Sequence, residues 1–195
     1  TQAQEILTNF VPYNGYTLTM HIRLAQERDC EQISELYLQA FPADEGPVVA
    51  ELALALLKGQ SQPASLALVA EDGSALIGHI AFSPVSLAAL PACRAFILAP
   101  LAVQPDYQKK QIGSALVQAG IAQLRQAGLD LLFVYGDPGY YGRFGFKPEP
   151  ARLYLPPYPL TYPFGWQVLH LHGFPPADTP QTLGFVTVLD RPELW

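Results

Sequence analysis

Apolar and polar positions change period several times along the chain, and each change marks an element. Residues 21–24 alternate, with His21 and Arg23 set against Ile22 and Leu24, and predict a first strand. Asp29 is a candidate N-cap. After it Ile33, Leu36, Tyr37 and Ala40 recur at helical spacing, so a helix is expected over 31–40, ended by Phe41 and Pro42. Pro47 suits the first turn of a second helix that runs to Lys58 before Gly59. Strands are expected over 65–70 and 75–85, joined by an Asp72-Gly73 hairpin turn. Residues 94–103 are apolar through their middle and predict a strand covered on both faces. A turn at 104–106 leads to a strongly amphipathic helix over 111–126. Its apolar face is Ile112, Ala115, Leu116, Ala119, Ala122 and Leu124, and Gly128 ends it. A buried strand follows over 129–135, then a turn with room for one short helix over 136–145. Beyond Phe146 proline and aromatic residues dominate. Strands are expected over 166–171 and 185–189, the second a candidate to pair with the first. This order predicts a single mixed α/β domain over 20–195, with 147–195 as its variable C-terminal part and turn-rich residues 1–19 as an extension outside the core.

Composition narrows the function classes. Half of the 195 residues are apolar and 14% are charged, which suits a folded core and argues against disorder. A formal net charge of −6 argues against a dedicated nucleic-acid binder. It suits a cationic or amine partner. Cys30 and Cys93 form neither a CxxC pair nor a metal-ligand cluster, so no metal is expected and a reducing cytoplasm is the simpler setting. No membrane partner is expected, because no run reaches the roughly 18–20 apolar residues needed to span a bilayer. The first 19 residues lack the basic start and long apolar core of a signal peptide.

The chemistry concentrates in the strand, turn and helix over 98–119. A helix start leaves about four backbone N–H groups unpaired and carries the positive end of the macrodipole, so it receives anions, phosphate above all. Lys109 and Lys110 add positive charge there, and Gly113 lets a ligand approach the backbone. A helix that merely packs on a sheet, with Gly113 easing the contact, fits the same residues. Neither a P-loop nor a GxGxxG fingerprint is present.

The run 98–116 resembles the acyl-CoA-binding motif of the GNAT superfamily of N-acyltransferases. That motif has the form Gln/Arg-x-x-Gly-x-Gly/Ala. Gln108 matches its first position and Gly113 its last; Gln111 stands at the middle glycine and Lys109 where a further glycine is common. A second block, Asp137-Pro138-Gly139-Tyr140-Tyr141-Gly142-Arg143-Phe144-Gly145-Phe146, resembles the family's Tyr-x-x-x-Gly-Phe motif, with Tyr141 as its tyrosine. Residues 78–85 and 166–173 fit one branch, predicted acetyltransferases with an extended C-terminal part. The resemblance implies a central, mixed but mostly antiparallel, splayed sheet flanked by helices. It also implies acetyl-CoA as substrate, transfer of its acetyl group to a primary amine by direct attack in a ternary complex, and a small-molecule or peptide amine acceptor; a homodimer is compatible with it. The backbone of Leu101, Ala102 and Val103 is implied to contact the pantetheine and thioester. Gln108, Lys109, Lys110, Gln111, Ile112, Gly113 and Ser114 are implied to hold the phosphates, with Tyr141 also touching the cofactor.

Within that resemblance Tyr141 is the candidate acid for the leaving thiolate, since a phenol of pKa ~10 lies close to a thiol. Plain aromatic packing of Tyr140 and Tyr141 is the alternative. Glu45, beside Asp44, and His79 are candidate bases; a solvated surface pair and a hydrogen-bonded core histidine are their bland counterparts. A covalent route through Cys93 with His79 as base is disfavoured, because free cysteine is usually inert. Tyr154, Tyr158, Tyr162, Phe164 and Trp166 either shield the core or receive a cation. The competing functional reading is a GNAT-like module that binds acyl-CoA without turnover, and a weaker one is a phosphate-binding α/β domain of another type.

Overall fold

A computed structural model describes residues 5–13, 16–175 and 177–195. Contacts divide the chain into two units. The first comprises Thr1–Gln60, Ser65–Phe82 and Pro100–Gly120, the second Ser61–Ala64, Ser83–Ala99 and Ile121–Trp195.

The first unit is built on an antiparallel meander. Strand β1 (Glu5–Tyr13) pairs with β2 (Tyr16–Leu24), β2 with β3 (Leu66–Asp72), and β3 with the first part of β4 (Ala75–Leu87). The Asp72-Gly73 signal holds: Gly73 takes φ 59°, which a side chain would resist. Just past the end of β5 (Ala95–Val103), the Gln104 N–H donates to Ile77 O at 3.0 Å. Helices α1 (Cys30–Ala40) and α2 (Gly46–Lys58) bury Ile33, Leu36, Tyr37, Ala50 and Ala53 against Val69, Leu76 and Ala102. Helix α3 (Ile112–Gln126) rests on β4 at its glycine: a Cβ at Gly78 would stand 2.8 Å from Leu116 Cδ1 and 3.1 Å from Ile112 Cγ2.

A tighter contact lies at Gly120, where a Cβ would come within 2.1 Å of Phe82 Cζ. Alanine normally favours a helix interior by about 1 kcal/mol over glycine. Here the fully buried Phe82 ring cannot retreat without disturbing the core. Gly120→Ala is therefore expected to destabilise the protein by about 1–3 kcal/mol, the usual cost of overpacking, measured by urea unfolding.

The second unit surrounds β6 (Leu131–Tyr135). Strand β5 pairs with it in parallel from Ala95 to Leu98, and β8 (Trp166–His170) pairs with its other edge antiparallel. The end of β4, Val85 to Leu87, pairs antiparallel with β9 (Gln181–Phe185), which also pairs in parallel with β7 (Tyr154–Leu155). The fold is thus mixed α/β, with a mostly antiparallel sheet flanked by helices. Among the described residues, no helix is long and apolar enough to cross a membrane.

Three expectations shift. Residues 5–13 and 16–19, expected in an extension ahead of the core, are strand and pair into the meander. The expected strand at 21–24 is the second half of β2. Asp29 stands at the N-cap of α1 but makes no side-chain cap there. Its carboxylate accepts instead from the Arg23 guanidinium, at 2.7 and 2.9 Å, and from the Gln26 N–H at 2.8 Å. The expected strand over 185–189 ends where it was to begin. β9 covers Gln181–Phe185 and joins β4 and β7, while β8 pairs with β6.

Candidate functional site

The turn between β5 and α3 forms one continuous stretch of the first unit. Strand β5 carries Pro100, which has no N–H to give to a ladder, and the parallel register with β6 ends at Leu98 and Val134. Leu101, Ala102 and Val103 follow. A single 3-10 turn, Pro105–Tyr107, then leads to Gln108, whose Nε2 donates back to Val103 O at 3.2 Å.

Lys109 and Gln111 both adopt left-handed backbone, with φ 60° and 62°. Both are positions where the resembled motif has, or commonly has, a glycine that this sequence lacks. The turn therefore keeps the glycine conformation without the glycines, at a cost of roughly 1–2 kcal/mol per residue in left-handed backbone. The first helical bond runs from Ala115 N–H to Gln111 O at 2.9 Å, so the N–H groups of Ile112, Gly113 and Ser114 lie ahead of it. Lys109 is exposed at this end. Lys110 reaches back to donate to Asp106 O, and its Nζ lies 5.3 Å from the Tyr107 ring centroid. Tyr107 in turn donates its hydroxyl to Asp72 Oδ2 at 3.0 Å. An anionic group fits this end of the helix by both dipole and side-chain charge. Lys109→Gly and Gln111→Gly are each expected to raise unfolding free energy by about 0.5–1 kcal/mol in urea titrations, since relief of strain exceeds the entropy glycine adds to the unfolded chain.

Tyr141 belongs to the second unit. Asp137 caps the short helix α4 (Pro138–Tyr141), accepting from Gly139 N–H at 2.8 Å, and Gly145 closes the following turn at φ 95°. The Tyr141 ring meets Tyr140 and Phe146 edge-on, with centroids 5.0 and 5.8 Å apart. Gly136 lies so close that a Cβ there would stand 2.5 Å from Tyr141 Cε2. Burial, and then the neighbouring Tyr140, push the Tyr141 phenol above its ordinary value, so it stays protonated across the neutral range.

The two candidate bases sit in different surroundings. Glu45 is exposed at the start of α2, beside exposed Asp44. His79 is fully buried on β4, with its Nδ1 2.8 Å from the Tyr37 hydroxyl. Burial pushes the imidazole down to about 3, although Asp29 opposes the shift. The ring is thus neutral at pH 7. The unfolded chain binds a proton near 6.5 that the folded chain refuses, so this contribution to stability is present above pH 6.5 and is lost as pH falls toward 3. The expected slope reaches about 1.4 kcal/mol per pH unit in that window. Half-exposed His170, also lowered by burial, adds a slope of the same sign. Urea midpoints at pH 7 and pH 5 should show most of the difference vanishing in His79→Gln.

Two supports escaped the sequence reading. Tyr107 braces the turn through Asp72 and Lys110, and its signal was an aromatic three residues before a lysine. Arg143 stacks on Tyr140, with Cζ 4.4 Å from the ring centroid, at the same spacing and in the same order.

Residues 30–146 match the model of the Acetyltransferase (GNAT) family, more than half of the chain and inclusive of both motif blocks. The chain belongs to the GNAT acetyltransferase family. Its relatives include the Uncharacterized N-acetyltransferase YjhQ of Escherichia coli strain K12, 35% identical over 144 residues that span 73% of this chain and 77% of YjhQ. Among solved GNAT structures, YhbS of Escherichia coli in complex with CoA superposes with a TM-score of 0.77. It shares 25% identity and covers 92% of this chain and 97% of YhbS. A GNAT acetyltransferase from Brucella melitensis in complex with acetyl-CoA superposes with a TM-score of 0.64 at 32% identity, covering 88% and 98%.

Proposed function

We propose that this GNAT protein transfers the acetyl group of acetyl-CoA to a primary amine by direct attack in a ternary complex. The observation that carries the proposal is the left-handed pair Lys109 and Gln111 ahead of α3. That pair preserves an anion-receiving turn at the position where the family binds its acyl donor. The complexes of relatives with CoA and acetyl-CoA support the same donor.

In this reading the backbone from Gln108 to Ser114 holds the phosphates, with Lys109 and Lys110 neutralising charge. The backbone of Leu101, Ala102 and Val103 holds the pantetheine and polarises the thioester carbonyl. The neutral amine attacks the carbonyl carbon; the new C–N bond forms, the C–S bond breaks, and the thiolate takes a proton from the Tyr141 hydroxyl. The amine's proton leaves through Glu45, which is exposed. His79 suits this step less, because an imidazole held near pKa 3 is a weak base.

The test is release of free thiol from acetyl-CoA across a panel of primary amines. Amine-dependent release together with recovery of the acetylated amine is the expected result. Tight CoA binding with no transfer to any amine would overturn the proposal in favour of a binding module.

A further inference from the structure

The second unit contains a cavity of about 510 Å3, lined by none of the residues of the acyl-CoA-binding turn. Its walls include Tyr135, Tyr162, Phe164 and Trp195, together with the carboxylate-bearing Asp137 and Glu193. The volume lies within the usual ~300–1,000 Å3 range of small-molecule sites. Gly136 also lines it, and Gly136 is the residue pressed against the Tyr141 ring.

The wall is braced. Gly136 N–H donates to Gly165 O at 2.9 Å, and Tyr162 N–H donates to the Tyr135 hydroxyl at 2.9 Å. The side-chain amide of fully buried Gln167 donates to both Gly136 O and Gly165 O, at 3.1 and 3.3 Å. Trp195 is wedged between Phe185 and Trp166, with centroids 5.0 and 5.9 Å away. Tyr162 and Phe164, by contrast, are 60% and 63% exposed, with centroids 5.9 Å apart, so they do not shield the core. They present apolar surface that an occupant would remove from water. Both charged groups of the lining are carboxylates: Asp137 caps α4, and Glu193, paired with Arg191 whose Nε donates to it at 2.8 Å, is held below its ordinary value by its own backbone N–H and by that bond.

The geometry points to this cavity as the seat of the amine acceptor, and to that acceptor as a small primary amine carrying an aromatic ring. The inference rests on the acyl-transfer reading for its reaction but not for its binding. Aromatic walls match the ring, carboxylates and ring faces match the ammonium, and the contact of Gly136 with Tyr141 sets the cavity beside the proposed acid.

The test uses the full chain and calorimetric titration with 2-phenylethylamine, 2-phenylethanol and CoA. Tyr162→Ala and Phe164→Ala remove exposed side chains, so folding should survive, and together they are expected to raise the amine Kd about tenfold while CoA affinity stays within about twofold. The neutral alcohol should bind more weakly than the amine, and Glu193→Gln should narrow that gap. An amine Kd unmoved by both truncations, or CoA displacing the amine one for one, would overturn the assignment. Amine binding lost with the truncations but no transfer sinks the enzyme reading and leaves the cavity standing. Transfer with a KM indifferent to the truncations does the reverse.

Discussion

Replacing Tyr141 with phenylalanine is expected to lower the maximal rate of amine-dependent thiol release by about 10²-fold or more, the usual worth of a positioned acid. Acetyl-CoA binding should be unchanged, because the ring and its edge contacts with Tyr140 and Phe146 remain while only the hydroxyl is lost. Tyr140→Phe is the matched control and should retain most of the rate. The pH profile supplies a second readout. Burial raises the Tyr141 phenol, so the protonated acid persists beyond the ordinary tyrosine value. The alkaline limb of the wild-type profile that belongs to the acid should accordingly lie above pH ~10. A Tyr141→Phe protein that releases thiol as fast as wild type with its best amine would remove Tyr141 from the mechanism.

The largest effect on stability is expected at Arg23. This side chain, 6% exposed on β2, forms a two-pronged bond with Asp29, itself 3% exposed, and its Nε also donates to Glu71 Oε1 at 2.9 Å. Burial alone would raise the Asp29 carboxyl, but hydrogen bonds from Arg23 and from Gln26 N–H hold it below its ordinary value. Arg23→Met leaves that carboxylate buried without its cation and should cost about 3–5 kcal/mol at pH 7. The double variant Arg23→Met/Asp29→Asn should recover a substantial part. A carboxyl with a lowered folded pKa gives stability that is present above its unfolded value of 3.8 and lost as pH falls through the folded value. The gap between wild type and Arg23→Met should therefore narrow below pH ~4. A gap that stays constant from pH 7 to pH 3 would show that lost packing, rather than charge, sets the cost.

Legibility tracked how far each residue's partner lay along the chain. Helix α3, the Asp72-Gly73 turn and the apolar strands β5 and β6 were readable because their signals are local: period, punctuation and capping. Asp29 misled because a carboxylate before a helix looks like a cap, whereas a buried guanidinium six residues earlier competes for it and wins. The partner of β9 was unreadable because strand pairing is decided by sheet edges, and β9 finds its edge on β4 almost 100 residues upstream. In the candidate site, the motif lacked glycines at Lys109 and Gln111. Only backbone geometry shows that the left-handed turn survives, since no side-chain pattern encodes φ at a residue that tolerates it poorly. Of the cavity's aromatic walls only Tyr162 and Phe164 belong to the aromatic run seen in the sequence; that these two are exposed while Tyr154 and Trp166 of the same run are buried is a tertiary result.

The aromatic pile of the second unit also fixes what light reports. Both tryptophans of the sequence, Trp166 and Trp195, sit there, and Trp166 stacks on Phe133 with ring planes 5° apart. Intrinsic tryptophan emission therefore follows the second unit alone, whereas far-ultraviolet circular dichroism also follows the strands and helices of the first. Melting curves from the two signals, overlaid, become a direct assay of whether the units lose structure as one cooperative body or in sequence.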